Sequence, residues 1–218
     1  MDFRFEIIAD YLPLLLRGAL VTIAISAASI VIGSALGLVV AWGKLSANFA
    51  ARYLASGYIH FFRGTPLLVQ ILLVHFGIVY VILGKTDAMI AAIVALSLNS
   101  AAYTAEIYRA GVQSIDKGQT EAARSLGMTH FQTMRFIILP QAIKRMIPPF
   151  GNEFIVLIKD SSLVSIIAAQ ELMYWTDAFK GQYLAVWEPY LTAAFIYLVL
   201  TYSFSKLLNY VERRLQTS

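Results

Sequence analysis

The chain has 218 residues, of which 59% are hydrophobic and 14% are charged, and its formal net charge is +4. This composition is too apolar for an ordinary soluble domain, and it predicts a single membrane domain over residues 1–218. The absence of cysteine excludes disulfides, iron–sulfur clusters and thiol catalysis. The excess of basic residues is better explained by cytoplasmic loops than by a nucleic-acid partner, and we expect no nucleic acid to bind.

Apolar segments recur along the chain at lengths that suit membrane crossing, which requires about 20 mostly apolar residues. They predict five transmembrane helices, at residues of about 12–43, 54–83, 88–108, 146–172 and 190–208. In the first of these, Gly33 and Gly37 lie four residues apart, which favours close contact with another helix. The sequence therefore predicts an all-α membrane protein with a long polar loop at about 109–145.

The second predicted span is interrupted at residues 63–66 by the sequence Arg-Gly-Thr-Pro. Thr65 before Pro66 predicts an N-cap with proline at the first helical position, about 18 Å into the span and near mid-membrane. A helix that begins there could offer free N–H groups to a substrate carboxylate, with Leu67 lining the pocket. A simple proline kink is an equal alternative. Arg63 could balance a substrate carboxylate or pair with an acidic residue.

Two carboxylates lie inside the fourth predicted span, where charged side chains are costly and hence candidate functional groups. Glu153 and Asp160 are seven residues apart, on one helix face and about 10 Å apart along the axis, so they could hold both ends of a dibasic small molecule. The alternative is that Lys159 or basic groups on other helices neutralise them. Glu153 is the candidate for selectivity, because a buried carboxylate favours a cationic side chain and repels an acidic one.

The third predicted span carries two polar residues on one face, Asn99 and Glu106. Glu106 and Arg109 are spaced for an ion pair within the helix, and we interpret that pair as structural. Asn99 lies deeper in the span. It is either an interhelical hydrogen-bonding residue or a polar group of a pocket, and the first role is preferred.

The distribution of basic residues predicts the orientation. Eleven lysine and arginine residues fall on one side of the spans, at 43–57, 109–147 and the C-terminal tail, whereas 1–12, 84–88 and 170–189 carry three. Basic residues accumulate in cytoplasmic loops. We therefore expect the N-terminus outside, and the 109–145 loop and the C-terminus in the cytoplasm.

The polar loop contains two predicted helix starts. Two pairs have the spacing of a capping box: Asp116 with Gln119, and Thr129 with Gln132. Gly127 lies between them, where the end of a helix favours a residue that tolerates left-handed geometry. The predicted unit is a short helix, a glycine turn and a second helix that ends at Pro140, with Leu126, Met128 and Phe131 as exposed apolar side chains.

This loop resembles the coupling loop of ABC-importer permeases. Glu121-Ala122-Ala123, three residues, Gly127, nine residues and Ile137-x-Leu139-Pro140 match the EAA signature of that family without a gap. Further stretches resemble its amino-acid-uptake branch over nearly the full chain: Arg63-Gly64-Thr65-Pro66, Asn99, Glu106, Pro148-Pro149 with Gly151-Asn152, and Lys159-Asp160-Ser161-Ser162-Leu163.

The resemblance implies partners, a location and two sets of contact residues. The partners are a cytoplasmic ATP-binding-cassette ATPase dimer, a second permease subunit in a homo- or heterodimer, an extracytoplasmic amino-acid-binding protein and membrane lipid, and the location is the bacterial cytoplasmic membrane. The residues expected to couple to the ATPase are Glu121, Ala122, Ala123, Leu126, Gly127 and Met128. The residues expected to contact the amino acid are Glu153, Asp160, Asn99, Thr65, Leu67 and Lys159.

Several motifs are absent from the sequence. Without GxxxxGK[ST] the chain has no loop to cradle ATP phosphates, and without GxSxG or HExxH it has no visible hydrolytic site. We expect no cofactor and no enzyme activity in this chain, with ATP and Mg bound by the partner ATPase. The expected function is import of a polar amino acid, cationic because of Glu153. The alternative is an ion- or proton-coupled secondary transporter, although such folds usually show repeated halves and none is visible here.

Overall fold

A computed structural model describes residues 3–216, with side chains described as far as Arg214. Within that range the secondary structure is helical and contains no strand. The α-helices, in chain order from α1 to α10, are Phe5–Leu45, Phe49–Gly64, Leu67–Leu73, Tyr80–Leu83, Ala88–Gln113, Lys117–Ser125, His130–Thr133, Leu139–Asp160, Leu172–Tyr183 and Trp187–Gln216. Three tighter or wider helical segments join them: π-helices at Val74–Val79 and Met134–Ile138, and a 3₁₀ helix at Ser161–Ile167.

The long apolar helices confirm an all-α membrane protein. Among the described residues, three helices are long and apolar enough to cross a membrane: Phe5–Leu45, Ala88–Gln113 and Trp187–Arg214. They contain the first, third and fifth predicted spans. The helices of the second predicted span add a fourth crossing if they form one broken span. The count of five stays a prediction, since α8 ends at Asp160 and the chain tightens into the 3₁₀ segment before the expected end at Leu172.

The second predicted span is sharply bent, by 108° between α2 and the Leu67–Leu83 helices. The prediction that Thr65 is the N-cap of the second half is wrong. Thr65 instead follows the last residue of α2, and its hydroxyl donates to the carbonyl oxygen of Phe61 at 2.8 Å. The residue before a proline is pushed into extended geometry, and both Thr65 and Pro66 are extended here, so the helix restarts only at Leu67.

The first helix packs closely along α5, at the glycines that the sequence singled out. A Cβ added to Gly33 would lie 2.9 Å from the Cβ of Ser100, and one added to Gly37 would overlap the hydroxyl of Thr104. The Thr104 hydroxyl also lies 3.1 Å from the carbonyl oxygen of Gly33, within hydrogen-bond distance across the two helices. The predicted close contact at these glycines is confirmed, and its partner is α5.

The polar loop forms the predicted helix, turn and helix, with differences at its start and at its end. Gly127 has a left-handed φ of 82°, and Thr129 forms both bonds of its capping box with Gln132. Asp116 does cap α6, but its carboxylate accepts from the backbone N–H of Gly118 at 2.7 Å. The capping box predicted with Gln119 is therefore not the observed arrangement, because the short aspartate side chain reaches the nearer amide.

The sequence predicts that the second helix of the loop ends at Pro140, and this prediction is wrong. A π-helical turn at Met134–Ile138 carries the chain from α7 directly into α8. Pro140 lies in the first turn of α8, and the wider turn before it accommodates a residue that lacks an N–H. The helix therefore runs from the loop towards the bundle without a break.

We expect Gly37→Ala to destabilise the protein, because the added methyl group overlaps the Thr104 hydroxyl and lies 2.9 Å from the Ala101 carbonyl oxygen. Overpacking of this kind costs about 1–3 kcal/mol. The melting temperature of the detergent-solubilised protein, followed by tryptophan fluorescence, should fall by several degrees. Gly57→Ala is the matched control, since a Cβ there meets nothing within 4 Å. An equal fall for both variants would contradict the packing argument.

Candidate substrate cavity

Charged and aromatic side chains of α2, α5 and α8 surround a cavity of about 490 Å³. This volume lies within the usual range for small-molecule sites. Its lining residues are Arg63 from α2; Tyr103, Glu106, Ile107, Ala110 and Gly111 from α5; Ser114 just after α5; and Arg145, Pro149, Asn152 and Glu153 from α8. The cavity therefore brings together residues that are far apart in the sequence, including two carboxylates and two guanidinium groups.

Glu153 is the buried carboxylate of this cavity, with 8% of its surface exposed. Its side chain lies beside the Ser100 hydroxyl of α5. Among the side chains that the structure describes, Glu153 forms no ion pair. The sequence left open whether Lys159 neutralises Glu153. No such ion pair is found among the described side chains, and Lys159 is exposed in the single chain. Arg63 on α2 attracts the carboxylate electrostatically but lies beyond ion-pair distance. A buried carboxylate with no cation in direct contact is a costly feature in a membrane protein, and it marks a functional candidate.

Asp160 occupies a different place from Glu153. It is the last residue of α8, where the 3₁₀ segment begins, and it is half-buried. Neither Asp160 nor its neighbour Lys159 lines the cavity. Glu153 and Asp160 are thus separated along α8 as the seven-residue spacing requires, but the cavity reaches only the first of them.

A hydrogen-bond network holds the bend between α2 and α3, and its centre is Gln70, which the sequence reasoning missed. The Gln70 amide nitrogen, which has two hydrogens to donate, lies within hydrogen-bond distance of three acceptors: the carbonyl oxygens of Phe62 and Thr65, at 2.9 and 3.1 Å, and the Thr65 hydroxyl, at 2.8 Å. Its oxygen accepts from the Asn99 amide at 2.8 Å. The interhelical bonding predicted for Asn99 is confirmed. A glutamine in an otherwise apolar stretch was the available signal for Gln70.

Leu67 is half-buried at the start of α3, where it packs against a core cluster that includes Ile71 and Ala92. It does not line the 490 Å³ cavity. The N-terminal end of α3 therefore faces the packed interior of the bundle beside the cavity. The predicted roles of Thr65 and Leu67 in substrate contact stay predictions.

The distribution of basic residues predicts that one half of the cavity faces the cytoplasm. The charged side chains at that end already have partners within the chain. The predicted ion pair between Glu106 and Arg109 is confirmed at 2.6 Å. Arg109 also donates to the side-chain oxygen of Gln113, and Arg145 donates to the carbonyl oxygen of Ser114. The first two contacts lie within α5, and the Arg145 contact joins α8 to the residue that follows α5.

A second buried carboxylate, Glu171, lies outside the cavity and was not singled out from the sequence. It is fully buried and caps α9 by accepting from the N–H of Tyr174 at 2.7 Å. Its other oxygen accepts from Tyr197 at 3.0 Å and from Thr22 at 3.3 Å. Because every oxygen of Glu171 has donors, we interpret this residue as a structural link between α1, α9 and α10.

The residues expected to couple to the ATPase surround the turn at Gly127. Leu126 is 84% exposed and Phe131 is 69% exposed, as predicted. The prediction that Met128 is exposed is wrong, since it is half-buried. Glu121 and Ala122 are exposed on α6, and Ala123 is buried against the rest of the loop. The loop thus presents an apolar tip beside an acidic residue.

Apolar spans, a bent second span and a polar cavity between helices are features of the permease class of membrane protein. The family described as "Binding-protein-dependent transport system inner membrane component" matches residues 33–217, and the chain belongs to it. The match covers most of the chain, including the cavity and the loop.

Relatives of known name agree with this assignment. The chain is 39% identical to the arginine transport system permease protein ArtQ of Bacillus subtilis, over the full length of both chains. It is 36% identical to the glutamine transport system permease protein GlnP of Escherichia coli K12, over 99% of each. A probable glutamine ABC transporter permease protein of Bacillus subtilis, GlnM, is 43% identical over 84% of each.

Solved structures agree as well. The crystal structure of an amino acid ABC transporter with histidines contains a chain of 45% identity and TM-score 0.93, covering 98% of this chain and 100% of that one. The MetNI methionine ABC transporter, at 23% identity and TM-score 0.78 over 94% and 97%, shares the fold. The chain is therefore a permease subunit of a polar amino acid ABC importer, a multi-pass inner-membrane protein, and ATP hydrolysis belongs to a separate subunit. Family membership implies an ATPase, a second permease subunit and a binding protein in general terms.

Proposed function

We propose that this permease carries a cationic amino acid (arginine, lysine or histidine) and that Glu153 selects it. The observation that carries the proposal is the buried Glu153 carboxylate, which lines a cavity of about 490 Å³ and forms no ion pair among the described side chains. A cationic substrate would supply the missing partner. An acidic substrate would be repelled by the same carboxylate.

The other residues expected to contact the substrate lie outside this cavity. Asp160, at the end of α8, would bind the α-ammonium group, with the exposed Lys159 beside it. Asn99 and Thr65 meet at Gln70, so their contribution would be to hold the bend that shapes one wall of the site. Leu67 would line the apolar side at the start of α3.

Transport would be driven through the 109–145 loop. ATP and Mg bound by a partner ATPase dimer would supply the energy, and closure of that dimer would draw together the loops of two permease subunits. Movement of α8, which is continuous with the loop helix, would then turn the face that carries Glu153 outward. Hydrolysis would reset it. The exposed Leu126 next to Glu121 and Gly127 is suited to seat in a groove of the ATPase.

We expect Glu153→Gln to weaken stimulation of ATPase activity by arginine far more than stimulation by glutamine. The change removes the charge but keeps the size, so the concentration of arginine that gives half-stimulation should rise at least about tenfold. The measurement uses the permease–ATPase complex in proteoliposomes with its binding protein. Glu6→Gln, an exposed carboxylate away from the cavity, is the control and should leave both responses unchanged. Equal losses for arginine and glutamine would argue against selection by Glu153.

We expect Leu126→Asp to detach the ATPase, because it places a charge on an apolar side chain that the proposed contact would bury. Co-purification of the ATPase with the tagged permease should fall at least about tenfold. Leu184→Asp is the matched control, since Leu184 is 90% exposed but lies on the predicted opposite face. Retention of the ATPase by Leu126→Asp would contradict this docking surface.

The orientation can be tested directly because the chain contains no cysteine. Gln119→Cys in α6 and Gln182→Cys in α9 both introduce a thiol at an exposed position. A membrane-impermeant maleimide applied to intact spheroplasts should label Gln182→Cys and should label Gln119→Cys only after lysis. The reverse pattern would place the loop outside and exclude a cytoplasmic ATPase as its partner.

A further inference from the structure

An apolar groove of about 510 Å³ lies between the end of α1, the end of α5 and the helix that leads from the polar loop into α8. None of its lining residues lines the cavity that contains Glu153, and none of those described is charged. Several lining side chains are exposed in the single chain: Leu38, Trp42, Leu45, Leu139 and Ile143. The groove is thus an open apolar surface, separate from the substrate cavity.

The sequence of α1 places this groove at a boundary of the membrane. Residues 18–43 contain no charged residue and extend about 39 Å as a helix, slightly more than the hydrocarbon core of about 30 Å. Lys44 follows directly, and Trp42, which is 78% exposed, is of a residue type that collects at membrane boundaries. Leu38 lies about 10 Å further along the axis than Leu45. The groove therefore extends inward from the boundary, at the depth of phospholipid acyl chains.

A cationic side chain, Arg135, lies just beyond the loop end of the groove. It precedes Leu139 by about one helical turn. Arg135 is exposed, its central carbon lies 5.6 Å from the centre of the Phe136 ring, and it forms no ion pair among the described side chains. Lys44, at the end of α1, instead donates to the Ser56 hydroxyl at 3.0 Å. A guanidinium group is thus available where the headgroup of a lipid in the groove would lie.

This combination of an apolar groove and one exposed cation favours an anionic phospholipid as the occupant. A guanidinium group binds a phosphate through parallel hydrogen bonds. A zwitterionic headgroup carries its own ammonium group, which competes for the phosphate, whereas the headgroup of phosphatidylglycerol does not. The attraction of one basic residue to an anionic membrane surface corresponds to about fivefold in affinity.

We propose that this groove binds an acyl chain of an anionic phospholipid of the cytoplasmic leaflet and that Arg135 binds the phosphate of that lipid. The site goes beyond the proposed function, because it does not depend on which amino acid is carried. It uses the predicted orientation only to name the leaflet. Leu139 and Ile143 belong to the helix that continues from the loop towards Glu153, so the lipid contacts the element that transmits the proposed movement.

The test measures quenching of Trp42 fluorescence by phospholipids that carry bromine on their acyl chains. The permease–ATPase complex is reconstituted in mixtures of brominated and unbrominated phosphatidylglycerol or phosphatidylcholine. The Trp42 signal is the difference between this complex and its Trp42→Phe variant. Phosphatidylglycerol should bind beside Trp42 about fivefold more tightly than phosphatidylcholine. The variant itself reports Trp175 and Trp187, on α9 and α10, and should show no such preference.

Substitutions of Arg135 test the headgroup contact. Arg135→Gln should remove the preference for phosphatidylglycerol at Trp42, and Arg135→Lys should keep part of it. Lys206→Gln is the matched control, since it removes an exposed cation of α10 away from the groove and should leave the preference unchanged.

Three results would overturn the proposal. Absence of quenching by either lipid would show that protein, such as a second copy of this chain, covers the groove. Equal affinity for the two lipids would assign the groove to general lipid contact, and an unchanged preference in Arg135→Gln would remove Arg135 from the site. Both leaflets contain the brominated lipid and no amino acid is added, so a failure here leaves cationic selection and the orientation untouched.

Discussion

The bend between α2 and α3 depends on one side chain, Gln70. A helix that breaks inside a membrane protein leaves backbone carbonyls that lipid cannot hydrogen-bond. Gln70 donates to the carbonyls of Phe62 and Thr65, and it accepts from Asn99 on α5, so the break is both satisfied and tied to a neighbouring span. This link fixes the end of α2, and with it the position of Arg63 at the cavity wall.

The same requirement for internal partners separates structural charges from functional ones. Glu171 is fully buried and receives donors from α1, α9 and α10, so its charge is used to join helices. Glu153 is similarly buried but has no ion-pair partner among the described side chains, and it lines a cavity. Burial alone does not mark a transport residue. A buried charge that lines a cavity and has no ion-pair partner among the described side chains is the stronger candidate.

The polar loop shows how local rules can succeed and still leave the geometry incomplete. The turn at Gly127 and the capping box at Thr129 were predictable because both depend on residues within one helical turn. The stop at Pro140 was predicted from the usual effect of proline on a helix, but the preceding π-turn absorbs it. As a result, the loop and α8 form one continuous element, which is suited to transmit movement to Glu153.

The sequence alone determined the class of this protein, the apolar spans, the glycine contact face on α1, the EAA loop and the candidate carboxylates. These depend on composition, on spacing along one helix and on a contiguous motif. Tertiary structure decided which polar groups meet: Gln70 with Asn99, and Arg63 with Glu153 around one cavity. Such meetings depend on how distant helices bend and pack. Pro66 marks the break after α2 locally, but the 108° size of the bend and the early end of α8 are not encoded in a local pattern.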